Sequence, residues 1–242
     1  MATEIEPTPN ALPEVLVAEY RKAKPAEPEQ PLLGPLDQVI ASKPSNAPIE
    51  EETAALLNQL TRDLGARRTA ETGMAAGRSA VAIASVHAKR GAGLHTCIDP
   101  HQTTLWKSAA LELCEKAQVR DFVDLVEEPS EYALPRLARE GTTLDLAFVD
   151  GLHLFDHVLL DFFYFDRMLR PGGVIVFHDT WMTAVQNAVG YIVSNRAYER
   201  PAGRTPELEM GTNVVVLTKL ADDDRDWFFD EPFDDALSSR SG

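Results

Sequence analysis

From residue 50 onward the chain switches regularly between two periodicities. "EEETAALLNQLTRDLG" (50–65) places its apolar residues at helical spacing, and Gly65 supplies a stop. Short apolar or β-leaning runs then take turns with further helical patterns. "RRTAETG", "GLHTCID", "DFVDLVE", "LDLAFVD", "GVIVFHD" and "TNVVVLTKL" read as strands. Helices are expected over 76–89, 102–117, 130–140, 155–169 and 181–195. Runs such as "VIVF", apolar on every residue, suit strands covered on both sides. The alternation predicts right-handed βαβ units and an α/β fold, with a mainly parallel sheet and helices on both faces. Pro171-Gly172-Gly173 is expected to turn the chain between a helix and the next strand.

Composition adds limits to this picture. The 242 residues suffice for one large α/β domain over 51–220. Nine of the sixteen prolines fall within 1–50, so that segment is no continuous helix. It reads either as an arm or cap, with a subunit interface between copies as one use, or as a disordered leader. Net charge is −15, which argues against nucleic acid or an anionic membrane as the main partner. Residues 221–242 hold eight acids and two arginines, an acidic tail whose aromatics Trp227, Phe228, Phe229 and Phe233 dock on the body or a partner, or stay disordered. Cys97 and Cys114 form no Cys-x-x-Cys pair and read as reduced, buried thiols of a cytoplasmic protein. The first residues show no signal-peptide pattern, and no run is long and apolar enough to span a membrane.

In an open sheet of this kind, ligands bind beyond the carboxyl ends of the strands. Four endings carry chemistry. "AETGMAAGRSA" leaves the first strand through Glu71 and Gly73 and opens a helix at Gly77 and Ser79. Its spacing differs from the Gly-x-Gly-x-x-Gly of a dinucleotide loop. Asp99 ends the second strand, where an acid can accept from a ribose diol or cap a helix starting near Gln102. Asp150, Gly151 and His153 follow the fourth run, and His178-Asp179 the fifth.

"ETGMAAGRS", "CIDP" and "LDLAFVDGLHLFDHVLLDFFYFDRMLRPGGVIVFHDTW" together resemble the ordered motifs of class I S-adenosylmethionine-dependent methyltransferases. Within that class they are most similar to small-molecule O-methyltransferases with Asp-Gly-x-His and His-Asp motifs. The resemblance covers roughly 52–219. It implies a Rossmann-like, seven-stranded, mostly parallel sheet whose last strand is antiparallel. It also implies that Glu71, Gly73 and Gly77 take the methionine part of S-adenosylmethionine, that Ser79 is a further cofactor-binding residue, that Asp99 holds the ribose and that Ser130 lies near the adenine. Glu128-Pro129-Ser130 stands where relatives often show Gly-Asp-Ser. Acids matching Asp150 and Asp179 bind magnesium in metal-dependent relatives, and a histidine matching His153 is a candidate general base. His178 stands where several relatives carry a carboxylate; imidazole suits manganese, iron or zinc better than magnesium.

The residues also allow plainer readings. Asp150 and Asp179 could cap the helices that follow them, with Thr180 a rival cap, and His153 and His157 could share a helix face. Leu159, Leu160, Phe162, Phe163, Phe165 and Met168 read as helix-to-sheet core. Trp181 sits at the mouth of the proposed site, facing an acceptor or cofactor, or packing on the arm. The function expected is methyl transfer to a hydroxyl of a small molecule, metal-assisted, with Asp150 and His153 as the catalytic pair. An NAD-dependent oxidoreductase and a non-catalytic cofactor-binding or assembly protein are the competing readings.

Overall fold

A computed structural model of the chain describes residues 49–200 and 213–229. The elements in chain order are α1 (Glu51–Asp63), β1 (Arg68–Thr72), α2 (Arg78–Arg90), β2 (Leu94–Ile98), α3 (Ala109–Lys116), β3 (Val123–Val126), α4 (Ser130–Arg139), β4 (Leu144–Val149), α5 (Phe155–Met168), β5 (Leu169–His178), α6 (Thr183–Asn195), β6 (Tyr198–Glu199) and β7 (Val214–Lys219). They build one seven-stranded sheet of order β3-β2-β1-β4-β5-β7-β6. Strands β1 to β5 are mutually parallel, and β7 runs antiparallel to both β5 and β6.

Alternate side chains of the central strands feed two cores. Leu146, Phe148, Val174 and Val176 point to the face covered by α1, α2 and α3. Ala147, Val149, Ile175 and Phe177 point to the face covered by α4, α5 and α6. This explains the unbroken apolar runs: both sides of each strand are out of water. Helix α2 is rich in Ala and Ser, and every residue from Ser79 to His87 is buried. Its small side chains let it lie close to the sheet while α1 covers its outer side. Asn58 of α1 clamps the pair by donating to the Ala82 carbonyl (2.8 Å) and Ser85 Oγ (2.9 Å) of α2.

Two expectations are corrected. The helix expected over 102–117 forms only from Ala109, and Thr103–Lys107 make turns. Pro171-Gly172-Gly173 lies inside the span of β5 and does not end before it: Leu144 pairs Leu169 and Leu146 pairs Val174, so three extra residues bulge from β5 at that point. The seventh strand, β6, is two residues long, too short to announce itself as a periodic run. Ahead of α1, Ile49 is buried and Glu50 contacts the body. The proline-rich residues 1–48, their proposed interface, Phe233 and the rest of the tail lie outside the described residues.

The described start of the acidic tail is docked by charge. Lys219, at 2% exposure, donates to the Asp166 and Leu169 carbonyls (2.6 and 2.9 Å) and pairs with Asp222 (2.7 Å). Arg196 pairs with Asp166 and, at 3.2 Å, with Asp223. Tyr198 donates its hydroxyl to Asp166 Oδ1 at 2.8 Å. Trp227, Phe228 and Phe229 stay exposed beyond this anchor. Asp166 is thus the hub that compensates two buried cations. Asp166→Ala is expected to lower the unfolding free energy in urea by about 3 kcal/mol, the scale for orphaning buried charges; a change within error of zero would show the network to be ornamental.

Candidate active site

The chain runs outward from β1 through β2 to β3, then returns to add β4 and β5 on the other side, so the strand order reverses between β1 and β4. At that crevice the strand ends are tied by backbone hydrogen bonds: Asp150 N–H donates to the Thr72 carbonyl (3.0 Å) and Gly73 N–H to the Ile98 carbonyl (2.9 Å). Gly73 has φ +85°, and a Cβ there would stand 2.1 Å from the Asp150 carbonyl oxygen. No other residue fits this turn. Gly77, at φ +87°, caps α2 without any side-chain partner, which leaves the first N–H groups of the helix, around buried Ser79, available to an anion.

Asp99 is buried, and its carboxylate gathers the loop. Oδ2 accepts from Ala75 N–H (2.8 Å) and Gln102 Nε2 (2.9 Å), and Oδ1 from His101 N–H (2.8 Å). The helix that it might have capped does not start there. Ser130 opens α4, facing Asp161 of α5 across from Thr72. Burial pushes the Asp161 carboxyl up to about 6, with the Ser130 and Thr72 hydroxyls pulling the other way. Asp161 escaped the sequence reading because it sits within an apolar helical run. Glu71 is placed differently from the expectation. It is fully enclosed on the α2 side of the sheet, its carboxylate 3.5 Å from His95 Nε2 and beside Cys97. Direct contact with a bound molecule would need that enclosure to open.

The chemical end is built by strand register. Val149 pairs Phe177, so the next residues out, Asp150 and His178, meet side by side, with Asp179 one step further. His178 Nδ1 lies 3.0 Å from Asp150 Oδ1 and 3.6 Å from Asp179 Oδ2. His153 Nε2 lies 3.3 Å from Asp150 Oδ1 and 3.0 Å from Asp179 Oδ2. One potential donor atom from each of the four residues falls within 4.8 Å of all the others. The capping alternatives fail: α5 is capped by Leu154 and α6 by Met182, neither through a side chain. His153 precedes α5, so it shares no helix face with His157.

Three further residues fix this cluster: Trp181, expected at its mouth, and Asn213 and Glu50, which the sequence did not single out. Asp179 takes the left-handed φ of +52°. Its Oδ1 accepts from Trp181 Nε1 (2.8 Å) and Asn213 Nδ2 (2.9 Å), which turns Oδ2 toward the imidazoles. Asn213 stands next to Val214, the register partner of His178, so only sheet pairing reveals it. Glu50 Oε2 lies 3.0 Å from His178 Nε2. Trp181 remains 69% exposed at the mouth, so the indole holds Asp179 by its N–H and offers its face to whatever enters.

The charges of the cluster support one another. Burial opposes protonation of His178, but Asp150, then Asp179 and Glu50, outweigh it and drive the imidazole up to about 12. Burial likewise opposes the His153 cation, and the same two aspartates raise it to about 9. Burial works against the ionised forms of Asp150 and Asp179, yet the histidines hold both below the usual carboxylate range. Without a cation, the two imidazoliums offset Asp150 and Asp179, and Glu50 leaves the group with one net negative charge.

Residues 70–180 match a family model described as a methyltransferase domain. Over those residues the chain is similar to this family. Its class I fold is shared by solved structures. The O-methyltransferase TomG from Streptomyces achromogenes, involved in tomaymycin synthesis and solved with SAM, is 18% identical, with 87% of this chain and 91% of that one covered and a TM-score of 0.64. Cofactor-bound Rv0187 from MTB is 18% identical over 89% and 92%, with a TM-score of 0.61. The O-methyltransferase from Bacillus cereus in complex with SAH is 18% identical over 89% and 94%, with a TM-score of 0.58. A comparison with curated proteins gave no match. The antiparallel last strand expected from the resemblance is present as β7. Among the described residues no helix is long and apolar enough to cross a membrane.

The cation-free domain should show a distinctive pH response. His153 has a folded value near 9 against 6.5 unfolded, so its contribution to stability is complete below about 6.5, declines as pH rises and is gone above about 9. Thermal unfolding in chelator should therefore lose stability between those limits. His153→Gln should flatten that part of the curve; an unchanged slope in the variant would refute the assignment.

Proposed function

We propose that the domain transfers a methyl group from S-adenosylmethionine to a hydroxyl of a small molecule, with a divalent cation at Asp150, Asp179 and His178. The observation that carries this reading is the convergence of four donor atoms within 4.8 Å of one another, immediately beside the glycine turn at Gly73. A bare binding module has no use for such a cluster next to its cofactor loop. The solved O-methyltransferases with this fold, two of them holding SAM or SAH, support the choice of cofactor and of oxygen as acceptor.

In this reading Gly73, Gly77, Ser79 and the open N–H groups of α2 receive the amino-acid portion of the cofactor. Asp99, already aligned by Ala75, His101 and Gln102, presents its remaining acceptor capacity to the ribose diol. Ser130, with Asp161 behind it, borders the adenine. Glu71 supports the loop from beneath. The donor set of two carboxylates and an imidazole suits a borderline divalent metal. When bound, the cation orients the acceptor hydroxyl and lowers its pKa.

Transfer forms an O–CH3 bond and breaks the S–CH3 bond, whose electron pair returns to sulfur as the neutral thioether. The acceptor proton leaves to His153, which serves as base in its neutral form, once a cation on Asp150 and Asp179 has replaced the ring proton that those carboxylates hold in the cation-free site. That residue is the most exposed member of the cluster at 26%, against 22% for Asp179, 14% for Asp150 and 8% for His178, so it faces the incoming substrate. Asp150 and Asp179 hold its ring and stabilise the imidazolium that forms. The net charge of −15 agrees with a small, uncharged or cationic acceptor better than with a polyanion.

Calorimetry should show S-adenosylhomocysteine binding. Methylation of a hydroxylated acceptor panel should stop in chelator and return with Mn2+ or Mg2+. His153→Gln should lower kcat by about 100-fold or more while leaving S-adenosylhomocysteine affinity intact. Full turnover in chelator would remove the cation from the mechanism. NADH binding in the absence of S-adenosylhomocysteine binding would overturn the reading altogether.

A further inference from the structure

Glu50 lies 128 residues from His178 in sequence, yet its Oε2 stands 3.0 Å from His178 Nε2. The contact is built. Thr53, completely buried on the first turn of α1, donates its hydroxyl to the same Glu50 Oε2 at 3.1 Å. Glu50 is the N-cap residue of α1, but its side chain caps nothing in the helix. The neighbouring Ile49 is buried, and its carbonyl accepts from Arg78 at the start of α2. The carboxylate is thus held between α1 and the site with its acceptor aimed at one imidazole nitrogen. The other nitrogen, Nδ1, points at Asp150 Oδ1 and Asp179 Oδ2.

We infer that Glu50 is a positioning residue for a metal centre: it accepts the Nε2–H of His178 and so leaves Nδ1 bare and directed at the cation between Asp150 and Asp179. This rests on the cation reading above. A ligating imidazole needs its second nitrogen satisfied to fix tautomer and ring orientation and to raise its basicity. Glu50 does this from outside the ligand set. The consequence is selectivity. A nitrogen donor made more basic favours Mn2+, Fe2+, Co2+ or Zn2+ over Mg2+, whose preference is for oxygen.

The test uses the full chain saturated with S-adenosylhomocysteine. Mn2+ binding is followed by loss of the free-ion paramagnetic resonance signal, and Mg2+ is then added as competitor. The wild type should bind Mn2+ and resist displacement by Mg2+. Glu50→Ala should weaken Mn2+ binding by about 10- to 100-fold and narrow the Mn2+ over Mg2+ preference. Glu50→Gln keeps an acceptor and should recover part of the affinity. Unchanged Mn2+ affinity in Glu50→Ala would overturn the inference, even if its cation-free melting temperature fell, because that pattern marks a purely structural contact. A loss in Glu50→Gln as deep as in Glu50→Ala would overturn it too, by showing that charge and not the hydrogen bond matters. A wild-type chain that binds neither ion would instead sink the cation reading itself.

Discussion

The register between β4 and β5 is the constraint on which the site depends. With Val149 opposite Phe177, Asp150 and His178 fall side by side on the α1-covered face of the sheet. A slip of one residue would send one of them to the other face, among the apolar side chains of α5 and α6. That slip is prevented by the cores themselves. Phe148 and Val176 fill one side and Val149 and Phe177 the other, all of them buried. Each such side chain is worth roughly 1.5–3 kcal/mol of burial. The bulge at Pro171-Gly172-Gly173 absorbs the mismatch at the far end of the pair, so the irregular part of β5 stays away from the chemistry.

The cofactor end and the chemical end are joined by backbone. Asp150 donates its N–H to Thr72 and lends its carbonyl to the tight approach of Gly73. The residue whose carboxylate joins the cluster with His153, His178 and Asp179 is therefore also the floor of the glycine turn. Alignment of a donor methyl group with an acceptor oxygen demands such rigidity, because misplacement by an ångström is costly in rate.

Much of this was legible in the chain. Glycine at 73 and 77 and acids at 99, 150 and 179 stood at strand ends, and strand ends of a parallel sheet are where ligands bind. The apolar runs were unambiguous because both their faces are buried. What escaped has a common cause. Asn213 joins the site through antiparallel pairing of β7, and Glu50 through a contact spanning the domain. Neither has a local periodicity that could announce it. Asp161 hid among apolar neighbours on α5, and Glu71, though noticed, points along the sheet normal into a core whose polar lining of His95 and Cys97 only pairing discloses. The helix expected after Asp99 was shortened because Asp99 spends its hydrogen bonds on holding the loop, with Gln102 drawn in toward Ala75.

The electrostatics follow from this geometry. Three carboxylates, those of Asp150, Asp179 and Glu50, surround two imidazoles. Such a group is stable as it stands because both rings can carry protons, and it is equally prepared to exchange those protons for a cation. The two histidines then part in role according to exposure and to what lies behind them. His178, nearly buried and backed by Glu50, is held in place and suited to ligation. His153, nearer the surface, is free to carry a proton to solvent. A carboxylate at 178 would have bound a hard cation without help from α1. The imidazole there, through Glu50, ties the first helix to the cluster.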